Sequence, residues 1–164
     1  MTDLPPAHPR HVYFERERGV YDADVTSSVA HVAATVGDEA ERIETLFRIL
    51  ADAAIPVFLV KLHGQAATFC VEGSQVERAE TALTGAGFPF RTRRDLAIIT
   101  VHAGTMRDLI GIMVRIADAL QVAQARMYGV GDSHSSVQCL IDGYRAEAAV
   151  RQLRSAFCLE APHE

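Results

Sequence analysis

The chain has 164 residues, 49% of them hydrophobic and 23% charged, an ordinary composition for one globular domain or two small ones. Its formal net charge of −5 argues against nucleic acid as a partner, because phosphate recognition rests on a basic face. No apolar run approaches the roughly 20 residues that span a bilayer, so no membrane segment is expected.

Residues 1–18 read as a loose leader, with neither the basic start nor the apolar centre of a signal peptide. The stretch from His11 to Asp24 also alternates like a strand. Ile43, Leu46, Phe47 and Leu50 recur at i, i+3, i+4 and i+7, which places them on one helix face. Ile55 to Leu62 and Ala67 to Val71 are rich in β-branched and aromatic residues and predict strands, joined by a hairpin turn at His63-Gly64-Gln65. Val76, Ala79 and Leu83 make a shorter helix, and residues 88–93 a closing strand. The same series then repeats. Leu96 to Val101 reads as a strand, and Ile112, Ile116, Ala119, Leu120 and Ala123 as a helix face. A turn at Gly131-Asp132-Ser133 leads into a strand from Val137 to Ile141. Ala146, Ala149, Val150, Leu153 and Phe157 form the last helix face.

The repeat decides the architecture. At an offset of 70, Leu50 falls on Leu120, Val71 on Ile141, Gly73 on Gly143, Ala79 on Ala149, Leu83 on Leu153 and Ala86 on Ala156. Each half reads β-α-β-β-α-β, the ferredoxin-like arrangement, so the predicted class is α+β. Two helices would cover one face of an antiparallel sheet, leaving the other face to pack on a second sheet or module. The expected units are residues 19–94 and 95–160, with 161–164 as a tail. A half of this size buries too little surface to be stable alone, which makes packing between halves, and a homodimer, part of the expectation.

Cys70, Cys139 and Cys158 are widely spaced among apolar residues and predict buried free thiols in a reducing cytoplasm. The seven histidines show no His-x-x-x-His spacing, and no metal is expected. Arg91, Arg93 and Arg94 read as a solvated strand edge. Met106, Met113 and Met127 read as core or interface filler. Asp132-Ser133-His134-Ser135-Ser136 contains the residue types of a hydrolase triad, but neighbours in a turn point apart, and a hydrogen-bonded turn is the better reading.

Residues 99–120 and 135–157 resemble the second ACT module in the regulatory region of aspartate kinases. Met106, Gly111, Ser133, Leu140, Ile141, Ala149, Val150, Leu153 and Phe157 occupy matching positions. The first half, with its helix over Leu46 to Leu50 and Phe69-Cys70-Val71, resembles the first module. The likeness spans roughly residues 19–159. It implies paired ACT modules in which a leading strand joins the other module's sheet. It also implies a non-catalytic regulatory role, either stand-alone or as the regulatory part of a kinase whose catalytic domain lies elsewhere. No phosphate-cradling loop is present, and no cofactor is expected.

The resemblance also implies a site. In that family an amino acid binds between modules, its carboxylate at a helix start and its ammonium on an acidic residue. Here Asp38 stands at the acidic position, followed by Glu41, Arg42 and Ile43. Glu41 departs from the family's Gly and sets a negative charge beside the expected carboxylate; ordinary capping chemistry is the plain alternative for these acids. Arg126 and Met127 stand where the partner module contributes, and Arg126 is a candidate cation. In the second half Arg107, Gly111 and Ile112 mark the equivalent helix start, with Gly111 read either as a ligand contact or as room for close packing. The implied partners are a small amino acid of the threonine or lysine class and an aspartate kinase or another biosynthetic enzyme. A degenerate pair serving only dimerisation or protein interaction is the alternative.

Overall fold

A computed structural model of the chain describes residues 19–106 and 109–159. Its elements in order are β1 (Val20–Thr35), α1 (Ala40–Asp52), β2 (Phe58–His63), β3 (Ala66–Glu72), α2 (Val76–Gly85), β4 (Phe90–Ala103), α3 (Ile112–Val122), β5 (Met127–Asp132), β6 (Ser136–Asp142) and α4 (Ala146–Ala156). The six strands form one antiparallel sheet in the order β2-β3-β1-β4-β6-β5.

Continuity of that sheet comes from β1 and β4. The second part of β1 pairs with β3 and with residues 90–93 of β4, completing the first βαββαβ half. Its first part pairs with residues 98–103 of β4, whose other edge pairs with β6. The strand that closes the second half therefore precedes the first half in sequence. Arg154 of α4 clamps it there, donating to the Asp22 carboxylate at 2.7 Å and to the Ala23 carbonyl at 2.8 Å. Each long strand changes direction at one residue with φ of 57°, Ser28 in β1 and Asp95 in β4. The pairing register shifts beside Ser28, as a bulge requires.

Two cores lie under the helices. Leu46, Leu50, Phe69, Val71, Ala79 and Leu83 fill the first, and Ile99, Ile116, Leu120, Ile141, Ala149 and Leu153 the second. Each such aliphatic or aromatic side chain contributes about 1.5–3 kcal/mol when fully buried. A third cluster occupies the helix-free face, where Val29, Cys70, Leu96, Ile98 and Leu140 pack with Phe58, Leu59 and Tyr128. Those residues come from both halves, so the face opposite the helices joins them.

Several expectations need correction. Ile55 is not in a strand; its N–H bonds to the Leu50 carbonyl just after α1, and β2 begins at Phe58. The predicted strands at 88–93 and from Leu96 are one strand, β4, because a single residue in the left-handed region redirects the chain without breaking it. Cys70 and Cys139 are buried, but Cys158 is exposed, since it lies beyond the end of α4. Of the His11–Asp24 stretch, residues from Val20 onward are strand, and residues 11–18 lie outside the described residues.

Candidate functional site

The two helix-start loops are built alike. Between β1 and α1, the Val36 and Gly37 N–H groups both donate to the Gln65 carbonyl, at 2.8 and 3.1 Å. Gln65 sits in the tight β2–β3 turn, where Gly64 supplies a φ of 53°. Its side chain reaches the same loop, the Gln65 amide donating to Asp38 at 2.9 Å. In the second half, the Ala103 and Met106 N–H groups donate to the Ser135 and His134 carbonyls, at 2.9 and 2.8 Å. Each helix start is thus pinned to the tip of its own hairpin.

At the first loop, Asp38, Glu39 and Glu41 are all exposed. Glu39 is the N-cap of α1 and makes no side-chain capping bond, and Glu41 lies in the helix's first turn. Helix starts of this kind present unpaired N–H donors and a partial positive charge. Arg42 does not turn toward the acids; its guanidinium lies 4.8 Å above the Phe88 ring. Ile43 is half-buried against the first core.

The second helix start is capped differently. Gly111 caps α3 with φ of 77°, a conformation that side chains rarely adopt. A Cβ at Gly111 would meet nothing within 4 Å, so close packing on a strand is not the reason for the glycine. Ile112 is buried and lines a cleft of about 540 Å³ with Met106, Met113, Val130, Asp132 and His134. Arg107 lies outside the described residues. Ser133 accepts from the Ser135 and Ser136 N–H groups at 3.3 and 3.0 Å, so the serine-rich segment is a hydrogen-bonded turn.

Arg126 and Met127 open β5 and are both exposed. The Arg126 N–H donates to Asp142 at 3.2 Å, and its guanidinium stands 5.3 Å from the centre of the Tyr128 ring. Among the described residues no ion pair joins Arg126 to Asp38, Glu39 or Glu41. The predicted residues therefore form three separate groups within one chain. Gln65, Phe88 and the Asp132–His134 turn were not in the predicted set. The repeat itself carried that signal, because the two hairpins fall opposite the two helix-start loops.

No group of three metal-ligating side chains occurs among the described residues, and none of their helices is long and apolar enough to cross a membrane. No family model matches the chain, and no curated protein matches it either. Solved structures do. The regulatory subunit of aspartate kinase from Thermus flavus is 19% identical, with a TM-score of 0.78 over 85% of this chain and 99% of that one. The chain has the fold of an aspartate kinase regulatory region. A structure of aspartokinase alpha and beta subunits agrees, with 21% identity and a TM-score of 0.79 over 86% of this chain and 100% of that one. Aspartokinase III from E. coli, solved in complex with lysine and aspartate, is 17% identical, with a TM-score of 0.69 over 87% of this chain and 34% of its own. The regulatory-region fold accounts for the paired βαββαβ halves.

Proposed function

We propose that the chain is a non-catalytic, cytoplasmic regulatory protein that binds an amino acid of the threonine or lysine class at an interface between ACT modules. The observation that carries this reading is the first helix start. Asp38 is exposed, braced by Gln65, and stands ahead of a helix with no side-chain cap. An amino acid matches that arrangement at both ends, its carboxylate at the helix N-terminus and its ammonium on Asp38. Aspartokinase III, which shares the fold, has been solved with lysine and aspartate.

In a homodimer, Arg126 and Met127 of an adjacent module would close the site over Asp38, Glu41, Arg42 and Ile43. The start of α3, with Arg107, Gly111 and Ile112, would form the second interface position. Binding would favour one packing of modules, and an aspartate kinase or another biosynthetic enzyme would respond to it. A second reading, an interaction module without a ligand, draws support from Arg42. That side chain lies on Phe88, leaving Glu39 and Glu41 without a charge partner among the described residues.

A thermal-shift screen against the twenty amino acids separates the two. A ligand at about 100 times its dissociation constant adds roughly 2.7 kcal/mol. For a chain of this size that raises the melting midpoint by about 5–10 °C. A selective shift supports the sensor; a flat screen moves the assignment to the interaction module.

A further inference from the structure

The helix-free face holds a different kind of site. Edge strands β2 and β5 meet there, and a Cβ on Gly131 would come within 2.5 Å of Leu59 Cδ1. Beside that contact is a cavity of about 230 Å³ whose polar lining is His31, Lys61, His63, Thr68 and Tyr128. Strand pairing explains the convergence. Lys61 lies opposite Thr68 across β2 and β3, and His31 lies opposite Arg93 across β1 and β4. The Arg93 guanidinium stands 4.5 Å over the Tyr128 ring, so a fourth basic group faces the cavity's edge. Burial, and then the charge of Arg93, hold His31 below its ordinary pKa.

Among the described residues His31, Lys61 and His63 make no ion pair. The carboxylate beside the cavity is Asp142, which accepts from the Tyr128 hydroxyl at 2.7 Å and keeps its charge next to Arg93 and Arg126. Arg126 lies over the outer part of the same Tyr128 ring. Three basic side chains that converge without an ion pair among the described residues stand out in a chain of formal net charge −5.

The repeat provides an internal comparison. At the offset of 70, Lys61 corresponds to Gly131, His63 to Ser133 and Thr68 to Gln138. The second half builds the same sheet without basic residues there, so the fold does not require them. Their convergence is particular to the first half, and between apolar walls such as Leu59 and Leu140 the charge of Lys61 is less screened than in bulk water.

We infer that this cavity binds a small phosphate-bearing dianion, held by Lys61, His31 and His63 with a hydrogen bond from the Thr68 hydroxyl. Lys61 brings a positive charge, and the imidazole groups and the Thr68 hydroxyl add donors, a set that suits the several acceptor oxygens of a phosphate. The ligand would bridge β1, β2 and β3 under Tyr128 of β5, touching elements of both halves.

The test uses the full chain and inorganic phosphate at constant ionic strength, with the histidine ring resonances followed by NMR between about pH 6 and 8. The expected result is a saturable change in the His31 and His63 ring resonances as phosphate is added, with no change in those of His102. Lys61→Gln, a surface-facing substitution, is expected to weaken the response about tenfold or more, the cost of one hydrogen bond to a charged group. His63→Gln gives a second variant with the same expectation. Acetate is expected to compete poorly. No saturable change at tens of millimolar phosphate, an equal response to acetate, or a response that Lys61→Gln leaves intact would overturn the inference. Asp38→Ala is expected to leave the phosphate response unaltered, so this site and the amino-acid site fail or succeed separately.

Discussion

Asp38 in the loop before α1 and Glu41 in its first turn carry the same charge, yet the proposed ligand would meet them with opposite groups. Asp38 faces an ammonium, and a hydrogen bond to a charged group is worth about 1.5–3 kcal/mol. Asp38→Ala is therefore expected to weaken amino-acid binding about tenfold or more in a calorimetric titration, with the melting midpoint of the free protein little changed. Glu41 opposes the ligand carboxylate in the first turn of α1, where a charge is worth about 0.3–1 kcal/mol. Glu41→Gln should tighten binding about twofold to fivefold. Asp38 was named from the resemblance to aspartate kinase regulatory regions, and it stands exposed just ahead of α1. Its brace, Gln65, was not named, because a hairpin tip reveals its partner only once the chain is folded.

The cysteines and His31 show the same limit at the level of single side chains. Burial pushes the Cys70 thiol up to about 12 and the Cys139 thiol up to about 11, which keeps both protonated and unreactive at neutral pH. Cys158 is exposed, so a disulfide reagent should titrate one thiol rapidly in the native protein and three after unfolding. All three have apolar neighbours in sequence, and only the end of α4 distinguishes them. His31 binds its proton less readily when folded than when unfolded. The unfolded chain therefore gains protons first as pH falls, and stability should drop below about pH 6.5. Denaturant melts of His31→Gln are expected to show a shallower loss over that range.

At the scale of elements, helix faces were the most legible feature. Leu46, Leu50, Ile116, Leu120, Ala149 and Leu153 are buried as their spacing requires. Strand ends were less so, because apolar runs do not encode a bend. The bends at Ser28 and Asp95 have a partner the repeat did flag without explaining it. Gly73 and Gly143 lie against them, where a Cβ would come within 2.9 Å of the Ser28 carbonyl oxygen and 2.6 Å of the Asp95 carbonyl oxygen. Backbone offers little room to yield, so Gly143→Ala should destabilise by about 1–3 kcal/mol. That lowers the thermal midpoint by about 2–12 °C. Gly85→Ala is the control: its Cβ would meet nothing within 4 Å, and a helical position favours alanine.

Over the whole molecule, the two halves share two strands and a common third cluster, in keeping with the expectation that neither half is stable alone. Neither half retains a full set of strands without the other. Thermal and denaturant unfolding followed by two probes, one in each half, should coincide in a single transition; two separated transitions would mean that the shared strands do not couple the halves. The same coupling is what a sensor needs, since a ligand at either helix start acts on an element that the other half also uses. The central claim is tested most directly by calorimetric titration of the purified chain with each amino acid, beside Asp38→Ala. Saturable binding of one amino acid, weakened in the variant, is the expected result. No heat from any of the twenty at millimolar concentration would contradict it.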